Sequence, residues 1–181
     1  MILSDLGIKE LVRQGILKVE PYDEGWVDSC SLTLRLAPLV IINKASDKLD
    51  TYLFSTQDRY IEKVFSKLHR VDFSNESPFE ISPGQTVYGC TYEKIVMPKF
   101  LLGRVCQKWS LTQYGLVVTS QSGLLQPNSE GSVRLSLTNL SPVKIALYPW
   151  VPICQVVFEE IKESVETPYN SGKSRYLLPY V

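Results

Sequence analysis

One histidine, His69, and four cysteines, Cys30, Cys90, Cys106 and Cys154, bound the chemistry open to this chain. A zinc hydrolase of the His-x-Glu or His-Glu-x-x-His kind needs imidazole ligands that are absent. A Ser-His-Asp triad would have to use His69, which stands in a helix-like stretch without a matching serine motif. At a helix end, protonated His69 favours the negative terminus, which is a surface role. The cysteines are too far apart for a Cys-x-x-Cys clamp, and three lie inside strand-like runs. They read as reduced core thiols of a cytosolic protein.

Bulk properties narrow the class further. Nineteen basic and nineteen acidic residues cancel in a chain of 181. Such a balance gives no global pull toward nucleic acid or an anionic membrane. No apolar run approaches the roughly 20 residues that span a bilayer. The first residues lack a basic segment followed by an apolar one, so no secretory signal is read and the expected location is cytoplasmic. The length suits one domain with a sizeable core.

The elements that must position a site are mostly strands. From Phe100 to Phe158, short apolar runs alternate with turn signals. Leu116 to Val118, Val133 to Leu137, Val143 to Leu147 and Ile153 to Phe158 read as strands. Gly115, Gln126-Pro127-Asn128, Gly131, Asn139 to Pro142 and Pro149 to Pro152 separate them. This even spacing predicts an all-β sandwich or barrel. Earlier, Ser4 can cap a helix over residues 5–14, with Leu6, Ile8, Leu11 and Val12 as its apolar stripe and Gly15 as its stop. Ile16 to Val19 is a short strand. From Ser29, Cys30, Leu32, Leu34 and Leu36 alternate with Ser31, Thr33 and Arg35, as in a half-buried strand. Leu39 to Ile42 is a separate apolar run. Tyr60, Ile61, Val64, Phe65 and Leu68 predict a second helix over 57–69, capped by Ser55 or Thr56. Phe79 to Glu93 returns to strand, broken by a Ser82-Pro83-Gly84-Gln85 turn. The expected organisation is one domain over 1–181, with 167–181 as a basic, tyrosine-rich tail.

The order of these segments resembles the deoxycytidine triphosphate (dCTP) deaminase branch of the dUTPase superfamily. The likeness begins at Met1-Ile2-Leu3-Ser4-Asp5 and continues through Ser29 to Leu36. FEISPGQTVYGCTYEKIVMPKFLLGRV follows the family pattern, including Pro83-Gly84, Glu93 and Pro98. KWSLTQYGL stands in the place of the family's Arg-Ser-Ser-Leu-Ala-Arg-x-Gly-Leu. LLQPNSEGSVRLSLTN stands in the place of Ile-Asp-Pro-Gly and the strand after it. IALYPWVPICQVVF resembles the closing strand-turn-strand. The resemblance implies a mainly β fold, a distorted jelly roll or β-clip barrel like that of dUTPase, with two short helices. It implies a homotrimer with sites between subunits, no metal held by side chains, and magnesium entering with a nucleoside triphosphate. In the family a glutamate is the general base for water attack on the cytosine ring, and serine and arginine side chains hold base and phosphates.

Carried over residue by residue, the chemistry is largely replaced. The first motif's aspartate falls on Thr33. The arginine of the Arg-Ser-Ser motif falls on Lys108, which keeps the charge and loses the bidentate fork. The first serine falls on Trp109 and the second is kept as Ser110. The later arginine falls on Gln113, the aspartate of Ile-Asp-Pro-Gly on Gln126 and its glycine on Asn128. The catalytic glutamate falls on Ser136, whose hydroxyl cannot take a proton from water as a carboxylate can. Gly103, Leu111, Gly115, Leu116, Pro127, Gly131, Leu135, Asn139, Pro149 and Phe158 keep the scaffold. Lys108, Trp109, Ser110 and Gln126 are the ligand-binding candidates, with Tyr169, Lys173, Arg175 and Tyr176 of the tail closing on an anion. Trp109 can stack on a base or fill the vacated pocket. Arg35, Arg104 and Arg134 read as solvated charges beside strands. Glu130 is the carboxylate first considered for relocation. Three readings are open: a catalytically degenerate trimer binding a deoxynucleotide or related ligand; an active dCTP deaminase or dUTP pyrophosphatase with relocated residues; and a structural or interaction protein whose pocket Trp109 fills.

Overall fold

Strand β3, Ser31–Asn43, runs through the middle of the sheet, between β6 (Thr86–Val96) and β12 (Pro152–Glu160). This arrangement comes from a computed structural model, which describes residues 1–43, 68–120, 122–163, 165, 166 and 169. The elements before β3 are α1 (Asp5–Arg13), β1 (Lys18–Glu20), a 3-10 turn (Glu24–Trp26) and β2 (Val27–Asp28). After it come β4 (Leu68–Asp72), β5 (Phe79–Ile81), β6 (Thr86–Val96), β7 (Leu101–Gln107) and a one-turn helix α2 (Trp109–Thr112). The remainder is β8 (Leu116–Ser120), β9 (Leu124–Leu125), β10 (Glu130–Asn139), β11 (Ile145–Leu147) and β12 (Pro152–Glu160). The larger sheet has the order β8-β10-β6-β3-β12-β7-β9, with β1 on β6 and both β2 and β4 on β3. A small sheet pairs β11 with β5. Among the described residues all strand pairings are antiparallel.

The core follows the period-2 pattern of the strands. Leu32, Leu34 and Leu36 of β3, Val87 and Ile95 of β6, Leu135 and Leu137 of β10, and Val156 and Phe158 of β12 are all buried. Helix α1 begins as expected: the Ser4 side chain accepts from the Gly7 N–H, and Gly15 takes φ 69° just past the end. Ile8 is buried and Leu11 and Val12 pack against the core. Leu6, expected in the same stripe, is 74% exposed. The Ser82 to Gln85 turn closes as predicted, with Gln85 N–H donating to Ser82 O and Gly84 at φ 75°.

Three expectations need correction. Leu39 to Ile42 is not a separate strand but the second half of β3. A register shift against β6 falls between Leu36 and Val40, around Pro38, which has no N–H to give the ladder. The expected helix over 57–69 lies outside the described residues except at its end, where Leu68 and His69 are strand. There β4 pairs with β3, His69 opposite Ile42. His69 is therefore an exposed residue of a strand, paired through the backbone, where the spacing predicts a helix end. Cys30 does not alternate into the core with Leu32. It sits with Ser29 in the turn between β2 and β3 and is exposed, since Asp28 pairs directly with Ser31.

Candidate functional site

Helix α2 carries Trp109 and Ser110, with Lys108 and Gln113 at its two ends. Strand β7 ends at Gln107, whose Oε1 accepts from Val118 N–H of β8 at 3.3 Å. Lys108 then takes extended backbone angles as the residue before the helix and gives no side-chain cap. The helix lasts one turn. Gly115, at φ 82°, ends it, and Gly115 O accepts from Leu140 N–H across the β10–β11 connection. A Cβ at Gly115 would lie 2.9 Å from the Ser141 backbone nitrogen, so close approach as well as backbone angle requires glycine. Trp109 is 78% exposed, and Ser110 and Gln113 are exposed. Among the described residues, the Trp109 ring therefore fills no pocket.

Lys108 turns the other way. Its Nζ donates to Thr33 Oγ1 at 2.9 Å, and Thr33 Oγ1 donates to Asp28 Oδ2 at 3.1 Å. Thr33 is 2% exposed, although alternation placed it on a polar face. Lys108 and Asp28 cover that side of β3. Arg35, two residues on, is also not solvated. Its backbone N–H and Nε donate to the Glu93 carboxylate at 2.8 and 2.6 Å. Its guanidinium lies over the rings of Trp26 and Tyr92, 5.6 and 5.3 Å from their centroids. Arg104, by contrast, makes the exposed ion pair with Glu159 that a solvated charge allows.

Buried Cys154 reports the field between these groups. Burial, and then the Glu93 carboxylate, push its thiol up to about 12, with the Lys108 charge acting against them. It is a protonated core thiol, not a nucleophile.

The remaining candidates stand on other elements. Gln126 opens a turn closed by Ser129 N–H donating to Gln126 O. Asn128 occupies that turn at φ 64°, the left-handed region where the family pattern has glycine and which asparagine tolerates. Ser136 lies in β10, opposite Tyr88 of β6 and Thr119 of β8, so no carboxylate faces it across either ladder. Glu130, expected in a turn, is the first residue of β10 and is exposed. Six residues of extended chain put it roughly 20 Å from Ser136. Tyr169 is exposed, and Lys173, Arg175 and Tyr176 lie outside the described residues. Sequence reasoning missed Asp28. The usable signal was its place before a two-residue turn, which sets it diagonally across from Thr33.

The dCTP deaminase-like family model matches residues 2–161. The chain belongs to the dCTP deaminase-like family. A dUMP-forming dCTP deaminase of Dictyoglomus thermophilum is 33% identical over 179 residues, 97% of this chain and 89% of that protein. One of Streptomyces avermitilis is 32% identical over 178 residues, covering 97% and 90%. The crystal structure of the Agrobacterium tumefaciens 2'-deoxycytidine 5'-triphosphate deaminase matches with a TM-score of 0.65 at 22% identity. It covers 87% of this chain, which spans 47% of that one, and the likeness is one of fold. Among the described residues, no helix is long and apolar enough to cross a membrane.

Proposed function

We propose that this chain is a homotrimeric, deoxynucleotide-binding member of the dCTP deaminase-like family that has lost the chemical step. The observation that carries the reading is Ser136. It occupies the position the family pattern gives to the catalytic base, with Tyr88 and Thr119 as its cross-strand neighbours. Water is a poor nucleophile near neutral pH, and a positioned base contributes roughly 100- to 10,000-fold. A serine hydroxyl cannot supply that. The replacement of family arginine and serine by Gln113 and Trp109 removes transition-state contacts as well. The relatives are named for forming dUMP from dCTP, which makes dCTP and dUTP the first ligands to try.

In this reading the Lys108 ammonium and the tail residues Lys173 and Arg175 meet phosphate, with Tyr169 and Tyr176 alongside. Ser110 and Gln126 offer hydrogen bonds, and exposed Trp109 offers a stacking face. Magnesium enters with the triphosphate and is part of the ligand. Trimerisation is favoured by apolar side chains that one protomer leaves in water: Trp109, Tyr114, Leu140 and Val143, the last three between 64 and 69% exposed. The protein acts in the cytoplasm, without nucleic acid or membrane.

The test is calorimetric titration of the full chain with dCTP and dUTP in magnesium, beside assays for deamination and for dUTP hydrolysis. Binding without turnover is expected. Robust turnover would establish an active enzyme with relocated residues. The absence of any nucleotide binding would leave an interaction protein. Light scattering should give three times the 20.5 kDa chain.

A further inference from the structure

Two departures from the family pattern that look like separate losses, threonine for aspartate at 33 and lysine for arginine at 108, are in direct contact. Lys108 Nζ donates to Thr33 Oγ1 at 2.9 Å, and the Thr33 hydroxyl gives its proton to Asp28 Oδ2 at 3.1 Å. The direction is forced. An ammonium has no lone pair to accept with, an ionised carboxylate has no proton to give, and a hydroxyl can do one of each. Asp28 reaches Thr33 because β2 pairs with β3 through a two-residue turn, Asp28 opposite Ser31 and so diagonal to Thr33. Thr33 is 2% exposed, so its hydroxyl is shut away from bulk water.

We infer that Asp28 and Thr33 together stand in for the single carboxylate of the family's first motif, as positioning residues that hold the Lys108 ammonium for an anionic oxygen. A long lysine stem is otherwise a mobile point charge. The relay fixes one of its three N–H groups. Among the described residues no other side chain takes the remaining two. The neutral hydroxyl stands between Lys108 and Asp28, and among the described residues the two make no direct ion pair. The ligand class is a phosphate oxygen of a deoxynucleoside triphosphate, which rests on the functional reading above. Restoring the family residue alone, Thr33→Asp, would pair Lys108 directly and set a second carboxylate beside Asp28.

The test has two independent readouts on the full chain. In the free protein, nitrogen-15 NMR of lysine ammonium groups should show a slowly exchanging signal for Lys108, assigned by its loss in Lys108→Met. That signal should vanish in Thr33→Val and Asp28→Ala and return in Thr33→Ser, with thermal melts confirming that each variant is folded. In calorimetry with magnesium dCTP, Asp28→Ala and Thr33→Val should each weaken binding about tenfold, with little further loss when combined with Lys108→Met. Thr33→Asp should weaken it as well. A Lys108 signal that persists in Asp28→Ala, or binding losses that add in full to that of Lys108→Met, would overturn the inference. If the unaltered chain binds no nucleotide, the functional reading fails, and the NMR signal in the free protein still decides whether Asp28 and Thr33 position Lys108.

Discussion

The Glu93 carboxylate holds Arg35 twice, through the backbone N–H at 2.8 Å and through Nε at 2.6 Å. Glu93 is 3% exposed. The pair ties β6 to β3 beside Thr33 and orients the strand that carries it. Because both partners are desolvated and hydrogen-bonded, removing one leaves the other's charge uncompensated. Glu93→Ala should therefore destabilise the protein by about 3–5 kcal/mol. A urea unfolding series would measure it. A midpoint unchanged from the parent would mean that water replaces the carboxylate at no cost.

Gly115 ends α2 where no other residue fits. Gly115→Ala should cost about 1–3 kcal/mol from the left-handed backbone alone, before any displacement of Ser141. The melting temperature should fall accordingly in a thermal unfolding series. A variant as stable as the parent would show that the β10–β11 connection yields easily.

Stability should fall in alkali more steeply than surface groups alone would cause. Burial raises Cys154 from an ordinary 9.0 to about 12 and also raises Cys90. Between those pH values the folded chain keeps a proton that the unfolded chain has released. The contribution of Cys154 is complete below about pH 9 and is lost as pH rises toward 12, on the order of 1.4 kcal/mol per pH unit. Cys154→Ala should flatten this limb in chemical denaturation measured from pH 8 to 11. Parallel limbs for the two proteins would count against the buried thiol as the cause.

No single reversion should restore chemistry. Ser136→Glu alone is expected to remain without measurable dCTP deamination, because Lys108, Trp109 and Gln113 still depart from the family constellation. Cooperating residues do not contribute additively. Glu130→Gln should change nothing, since Glu130 is exposed at the far end of β10. Turnover gained in the first variant, or lost from an active parent in the second, would show that a carboxylate can still serve this pocket.

The sequence by itself determined what depends on neighbours in the chain. The period-2 runs of β8, β10 and β12, the Ser4 cap, the Gly15 stop and the Ser82 to Gln85 turn were legible because each is set by local backbone preference and alternation. The ordered motifs carried the family for the same reason: they hold turns and close approaches at fixed places. What the chain could not disclose is which charges meet. Arg35 reads as a solvated charge until β6 is laid against β3, because Glu93 is 58 residues away. Lys108 and Thr33 are 75 residues apart, and only the packing of the β7–α2 junction over β3 joins them. His69 shows the converse: local spacing reads it as a helix end, and it pairs in a strand with Ile42 from across the chain. Local propensity is worth tenths of a kcal/mol per residue, and a paired ladder or a desolvated charge is worth more, so tertiary contact had the final say at these positions.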